Sequence, residues 1–292
     1  MAEEYPRTYR STVNRLKDRG LCFLLQDVET DGLILSCQAV YDQDKIHNIV
    51  NSSPVLHVSF LPSHVEDDPF PTILPMIGAF GTFNENDADS DITASPTLYL
   101  HGHISSRFVK LSNSGSMKAH HWQEDGFPGL PVCVCATHVD GLIVALAPFN
   151  HSANYRSAVV HGYASLVTDP EEKNYALHLI TDSTIPERWA NTRLPLTETE
   201  LNMTGVVKVD VVSASAKVRA YTVFNEKTDL ENEAVTAKVW TGVIPAYVKY
   251  GEPVPGKENA VDVTPAHLVK WIEETNRNGE AYSREIASVP KP

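Results

Sequence analysis

Apolar and polar residues alternate through Val55-Leu-His-Val-Ser-Phe-Leu61, the period-two signature of a strand with one buried face. Residues 73–80 and Thr97-Leu-Tyr-Leu-His101 predict two more strands, separated by polar stretches at 66–71 and 84–91. Residues 132–137 and 142–147 form a hairpin candidate around His138-Val-Asp-Gly141, because Asp-Gly favours a tight turn between apolar runs. Further strands are expected over 157–167, 206–213 and 234–250; Pro245 marks the last as an edge or a bend. The 3.6-residue period appears in fewer places. Ile46, Ile49 and Val50 share one side of a helix over 42–51, and Leu268, Val269, Trp271 and Ile272 form the apolar stripe of a helix over 265–276. Pro170 opens another helix, with Glu171 and Glu172 in the first turn where the helix dipole favours acids. A short basic helix is expected over 8–19, followed by an apolar segment, 20–39, that reads as a hairpin around Asp31-Gly32. Many strands with a few peripheral helices predict a mainly β, α+β chain: an antiparallel barrel with helical decoration in a single domain.

Composition narrows the function. Charged residues make up 21% and hydrophobic residues 42%, as in ordinary globular proteins, and 292 residues suffice for a core without covalent staples. The net charge of -13 argues against nucleic acid and anionic membrane surfaces, but not against a small anion held by a few local cations. No apolar run reaches the ~20 residues of a membrane span. With no secretory signal at Met1-Ala-Glu-Glu-Tyr-Pro, the four cysteines (Cys22, Cys37, Cys133, Cys135) read as reduced thiols of a cytoplasmic protein. Cys133 and Cys135 face the same way if 132–136 is a strand, and no second Cys or His pair completes a zinc set, so no metal centre is expected.

The common catalytic signatures are missing: no glycine-rich dinucleotide loop, P-loop, nucleophile elbow or His-Glu-x-x-His. A barrel without its own nucleophile points to a cofactor that carries the chemistry. Two stretches offer places to hold one. In Leu98-Tyr-Leu-His-Gly-His-Ile-Ser-Ser-Arg-Phe-Val-Lys-Leu111 a strand ends near His101, Gly102 lets the chain turn, and a helix begins near Ser105. Two hydroxyls, Arg107 and Lys110 at a helix start make a phosphate site, or equally a solvated start with a serine cap. In Asn154-Tyr-Arg-Ser157, Arg156 enters an apolar strand and needs an anion, either a core carboxylate or a ligand.

These stretches belong to a collinear series. It contains Leu74-Pro-Met-Ile-Gly78, Leu98-Tyr-Leu-His-Gly-His103 with Ser105-Ser-Arg107, Asp140-Gly-Leu142, and Asn154-Tyr-Arg-Ser157 with His161-Gly-Tyr-Ala164. It continues through Glu187-Arg-Trp-Ala-Asn-Thr-Arg-Leu-Pro195, Ser215-Ala-Lys-Val-Arg219 and Trp240-Thr-Gly-Val-Ile-Pro245. From about 41 to 267 the chain thus resembles the pyridoxamine-5'-phosphate-oxidase-like split β-barrels, in particular the nitroimidazole-resistance-type flavoproteins and their fungal relatives. The resemblance implies a homodimer with FMN at its interface. It makes His101, Gly102, Ser105, Ser106, Arg107 and Lys110 candidates on the phosphate side, and Tyr155, Arg156 and Ser157 candidates along the ribityl chain or isoalloxazine. Trp189 and Arg193 would reach the flavin from the neighbouring subunit. Phe108 follows Arg107 where the oxidases often carry a second cation, so Lys110 stands in for it. That departure speaks against pyridoxamine phosphate as substrate. Residues 20–40 have no counterpart in the resemblance and read as an insertion or as retained intron sequence.

The expected function is FMN-dependent oxidation or reduction of a small molecule. Two alternatives stay open: haem held by one of the twelve histidines, such as His101, His103, His120 or His121, and a flavin-binding protein without turnover.

Overall fold

The computed structural model describes residues 39–61, 70–83, 96–113 and 128–291. The expected 8–19 helix, the 20–39 hairpin apart from Ala39, most of the two polar loops, Cys22, Cys37 and His120-His121 lie outside the described residues. The chain packs as two compact units. The first comprises Met1–Ala136 and Ser157–Ala216, the second Thr137–Arg156 and Lys217–Pro292.

The strands are β1 (Ala39–Val40), β2 (Leu56–Phe60), β3 (Thr72–Gly81), β4 (Thr97–His103), β5 (Leu130–Val144), β6 (Ser152–Leu166), β7 (Thr204–Arg219) and β8 (Gly242–Pro245). In the first unit they close a six-stranded antiparallel barrel in the order β7-β4-β3-β2-β5-β6, with β6 pairing back to β7 and β1 beside β7. Alternation sets the register. Leu56, Val58 and Phe60 of β2 point inward while His57 and Ser59 point out opposite Cys135 and Cys133 of β5. Neither cysteine is in a disulfide, and both are half-buried, on the outer face of the barrel wall.

Helix α1 (Gln43–Asn51) begins where Asp42 accepts a hydrogen bond from the Lys45 amide at 2.8 Å, and it buries Ile46, Ile49 and Val50. Helix α2 (Arg107–Ser112) buries Phe108 and Val109. A Cβ at Gly205 of β7 would overlap the Val109 side chain, so this glycine lets α2 lie directly on the sheet. Helix α3 (Pro170–Thr184) is capped by Asp169 and packs Ala176, Leu177 and Ile180 on Tyr99, Val167 and Val206. Glu172, in its first turn, is buried rather than solvated; it accepts from the Tyr99 hydroxyl at 3.0 Å and from Lys208 Nζ at 3.1 Å. Helix α4 (Glu198–Met203) follows, with Thr197 and Glu200 forming a reciprocal capping box.

In the second unit the far half of β5 pairs with β8, Gly141 opposite Pro245 and Val144 opposite Gly242. Short helices α5 (Lys227–Leu230) and α6 (Glu233–Thr236) and the long α7 (Ala266–Ile286) complete it. The Asn276 side chain holds both the N–H and the C=O of Tyr250, at 2.7 and 2.8 Å, and the Trp271 ring lies 4.6 Å from that of Tyr250.

Five expected elements differ. No hairpin forms over 132–147: β5 runs straight through Asp140-Gly141, because Asp140 is bound to Arg156 and Gly141 faces the Ile244 carbonyl, 3.2 Å from where a Cβ would sit. β6 and β7 extend several residues beyond the expected spans. Over 234–250 only Gly242–Pro245 is strand, and its one partner is β5, consistent with an edge at Pro245. Helix α7 continues ten residues beyond Asn276.

Candidate functional site

β4 carries His101 opposite Ile77 of β3 and Val206 of β7. β4 does not end near His101 as expected: Gly102 and His103 still pair with Gly205 and Thr204 of β7, the turn follows at 104–106, and the Ile104 amide donates to the Met203 carbonyl at 2.9 Å, tethering that turn to the end of α4. The Ser105 amide donates to His103 Nδ1 at 3.1 Å and the Ser105 hydroxyl lies 2.6 Å from the same nitrogen. Nδ1 is therefore an acceptor, and the exposed His103 ring carries its proton on Nε2. Ser106 caps α2 by accepting from the Val109 amide at 3.3 Å. Arg107 and Lys110 stand exposed on the first turns of α2, and neither forms an ion pair with a described residue. Thus His101 and Gly102 stand in the last residues of β4, Ser105 and Ser106 in the turn that follows, and Arg107 and Lys110 on α2. With the Ser105 hydroxyl donating to His103, the Ser106 hydroxyl and two cations without an acid partner among the described residues are the donors there that suit a phosphate.

Beside this turn lies a cavity of about 220 Å³ lined by Ile77, His101, Ile180, Thr181, Thr184, Ile185 and Arg188. Burial lowers the pKa of His101, so the imidazole facing the cavity is neutral near pH 7. Arg188 follows Glu187, whose φ of 63° turns the chain sharply after α3. Its Nη1 donates to the Asn191 carbonyl at 3.3 Å, and it pairs with no acid among the described residues. Asp182, close in sequence, is occupied by the Trp189 amide at 2.7 Å and by His178 at 3.3 Å.

The other candidates are engaged with protein groups. Arg156 finds a core carboxylate: Nε and Nη2 donate to Asp140 at 2.9 and 2.8 Å, and the guanidinium lies 4.4 Å from the Tyr282 ring centroid. Burial alone would lower the Arg156 pKa, but the hydrogen bonds and charge of Asp140 outweigh it and the pKa is raised. Tyr155 lies under Lys217 Nζ at 5.7 Å, and both it and Arg156 belong to the second unit, whereas Ser157 opens a segment of the first. Trp189 stacks on His178 with ring centroids 5.3 Å apart and packs on the α3 cluster. Arg193 donates to both Glu200 oxygens and to the Pro195 carbonyl. Together with the Thr197 amide, Arg193 holds the Glu200 carboxyl down at about 2. Arg188 is not among the residues that the sequence singles out, although it stands inside the Glu187-Arg-Trp stretch; with no period to mark it as inward-facing, it carries no signal of its own. Among the described residues no cluster of three His, Cys, Asp or Glu side chains is placed to hold a metal ion, and no helix is long and apolar enough to cross a membrane.

A family model described as Pyridoxamine 5'-phosphate oxidase matches residues 42–218. None of the curated proteins compared matches the chain. Among solved structures, the flavocytochrome Anf3 from Azotobacter vinelandii is similar at 25% identity and a TM-score of 0.57, covering 80% of this chain and 91% of that one. The FAD and heme binding protein from Mycobacterium smegmatis is similar at 24% identity and a TM-score of 0.59, covering 80% of this chain and 97% of that one.

Proposed function

Because the chain belongs to the pyridoxamine 5'-phosphate oxidase family through residues 42–218, we propose that it binds a flavin, FMN in the simplest form, and uses it to oxidise or reduce a small molecule. The observation that carries this reading is the turn after β4, where Arg107 and Lys110 lie beside the Ser105 and Ser106 hydroxyls without an acid partner among the described residues. Arg107 supplies a planar fork of donors, Lys110 a point charge, and the Ser106 hydroxyl completes the set around a phosphate. Bound there, a flavin supplies reversible hydride and electron transfer that no side chain of the protein provides. Arg156 is held by Asp140, while Tyr155, Ser157, Trp189 and Arg193 remain the flavin-side candidates that the family resemblance names. A homodimer formed in a cytoplasmic setting completes the proposal. Its support is the apolar outer face of β3, where Ile73 and Ile77 are 60% and 38% exposed.

The test is purification of the full chain, followed by its visible spectrum, mass spectrometry of released small molecules and anaerobic addition of NAD(P)H. Flavin bands that bleach at a useful rate support the reading. Bound flavin that NAD(P)H and other common donors leave oxidised favours a binding protein without turnover, and a colourless protein that takes up neither FMN nor FAD overturns the proposal. A second reading adds haem. It is favoured by the similar structure described as a flavocytochrome and by the neutral imidazole of His101. A Soret band lost in His101→Ala would support it.

A further inference from the structure

The cavity beside His101 is too small for the cofactor and has a chemistry of its own. Its volume of about 220 Å³ falls below the roughly 300–1,000 Å³ of sites that enclose cofactors or drug-sized ligands. At about 30 Å³ per water it equals some seven waters of liquid. Its walls come from three places in the first unit: Ile77 from β3, Ile180 from α3 and Ile185 from the segment just after α3. Both threonine hydroxyls donate back into α3, Thr181 to the Leu177 carbonyl at 2.7 Å and Thr184 to the Ile180 carbonyl at 3.1 Å, so each oxygen offers the cavity an acceptor, not a proton. Arg188 is the one formal charge among the lining residues, and its guanidinium donates to the Asn191 carbonyl rather than to an acid. The guanidinium that lines this isoleucine-walled space has no acid partner among the described residues, and a ligand that brought an anion on an apolar body would satisfy both surfaces.

We infer that this cavity binds a small apolar carboxylate, its hydrocarbon part between Ile77, Ile180 and Ile185 and its carboxylate on Arg188. His101, also in the lining, adds a neutral hydrogen-bonding group. Describing the ligand as the substrate rests on the flavin reading above; binding itself does not. The cavity thereby restricts the substrate class to compact monoacids and excludes molecules with two charges, since one guanidinium faces the space.

The probe is benzoate, with benzamide as its uncharged counterpart, titrated calorimetrically into the full-length protein and into Arg188→Gln and Arg188→Lys. Benzoate is expected to bind, and benzamide to bind about tenfold or more weakly, the usual size of one charge-assisted contact. Arg188→Gln should lose that preference, so that both probes bind alike, while Arg188→Lys keeps part of it. Bound-flavin content and melting temperature are read on the same three proteins, so that a lost preference at unchanged flavin content and melting temperature is assigned to the cavity and not to the fold. Absence of heat with benzoate at millimolar concentration, or an unchanged preference in Arg188→Gln, overturns the inference. If benzoate binds as expected to a protein that holds no flavin, the cavity assignment stands and the flavin reading falls. If a flavin-loaded protein ignores benzoate, the flavin reading stands and the cavity assignment falls.

Discussion

Arg156 and Asp140 meet as a two-pronged ion pair, with Nε and Nη2 each donating to a different carboxylate oxygen and the Tyr282 ring lying against the guanidinium. The Asp140 side chain is 6% exposed and that of Arg156 29%. Removing the acid strands a partly buried cation, so Asp140→Ala should lower stability by about 3 kcal/mol. Replacing both with apolar residues, as in Asp140→Leu with Arg156→Met, should restore much of the loss. Urea denaturation of the three proteins decides it; additive losses in the double variant would show that the pair is not the unit of stability.

The triad of Tyr99, Glu172 and Lys208 makes a similar demand in the first unit. Burial raises the pKa of the Tyr99 phenol, and the neighbouring Glu172 charge raises it further, so the hydroxyl stays protonated and donates. Tyr99→Phe removes one hydrogen bond and leaves Glu172 with Lys208, a loss of about 1 kcal/mol. Glu172→Ala, which deprives both Tyr99 and Lys208, should cost more. Thermal melts at neutral pH rank the two.

For the phosphate turn, Arg107→Ala should weaken FMN binding roughly ten- to a hundredfold while the apo protein melts as before. The exposed position of Arg107 sets the moderate size of the effect. Lys110→Ala should act in the same direction and more weakly. Fluorescence quenching of FMN measures both, and parent-like affinity in Arg107→Ala would move the phosphate elsewhere.

The Arg193–Glu200 contact predicts a pH dependence. The Glu200 pKa is lowered from 4.5 to about 2 by hydrogen bonds from Arg193 and Thr197. A carboxyl with a lowered folded pKa contributes fully above its unfolded value, and that contribution disappears as pH falls from about 4.5 toward 2. In a carbon-detected NMR titration the Glu200 carboxyl should titrate near the lower end, and Arg193→Ala should move its midpoint upward.

The exposed isoleucines of β3 predict self-association. Light scattering of the parent protein should give the mass of two chains, and Ile73→Lys together with Ile77→Lys should give one. A parent protein that is monomeric at micromolar concentration would remove the homodimer from the proposal.

The barrel is legible in the chain wherever local chemistry and tertiary packing agree. The helices expected over 42–51 and from Pro170 both form, with Asp42 and Asp169 as their caps, and the alternation in β2 survives as an inward and an outward face. Sequence and structure part where a distant partner decides. Asp140-Gly141 looks like a turn until Arg156 and β8 claim it. The Val, Trp and Tyr residues of 234–250 have the composition of a strand, yet strand formation needs a neighbour and only Gly242–Pro245 has one. The polar end of α7, with Gly279 in its interior, reads as a stop, but Asn276 is fastened to Tyr250 and Gly279 lies against Tyr247, so the helix runs on. Of the candidate site, the phosphate turn is readable because its residues are contiguous. The cavity is not, since Ile77, His101, Ile180 and Arg188 are brought together only by the fold.

The second unit is sewn from two separate lengths of chain, Thr137–Arg156 and Lys217–Pro292. On a ribosome the first length emerges well before its complement. Until then Asp140 and Arg156 can find each other, but Asn154 waits for the Tyr221 backbone, Leu146 for Asn225, and β5 for β8. At roughly 5–20 residues per second the interval lasts several seconds, during which the far half of β5 is an open strand edge carrying Leu142 and Ile143. Nascent chains stalled near residue 216 should therefore recruit chaperones, and the released full-length chain should not. Biogenesis of this protein is gated by its last quarter.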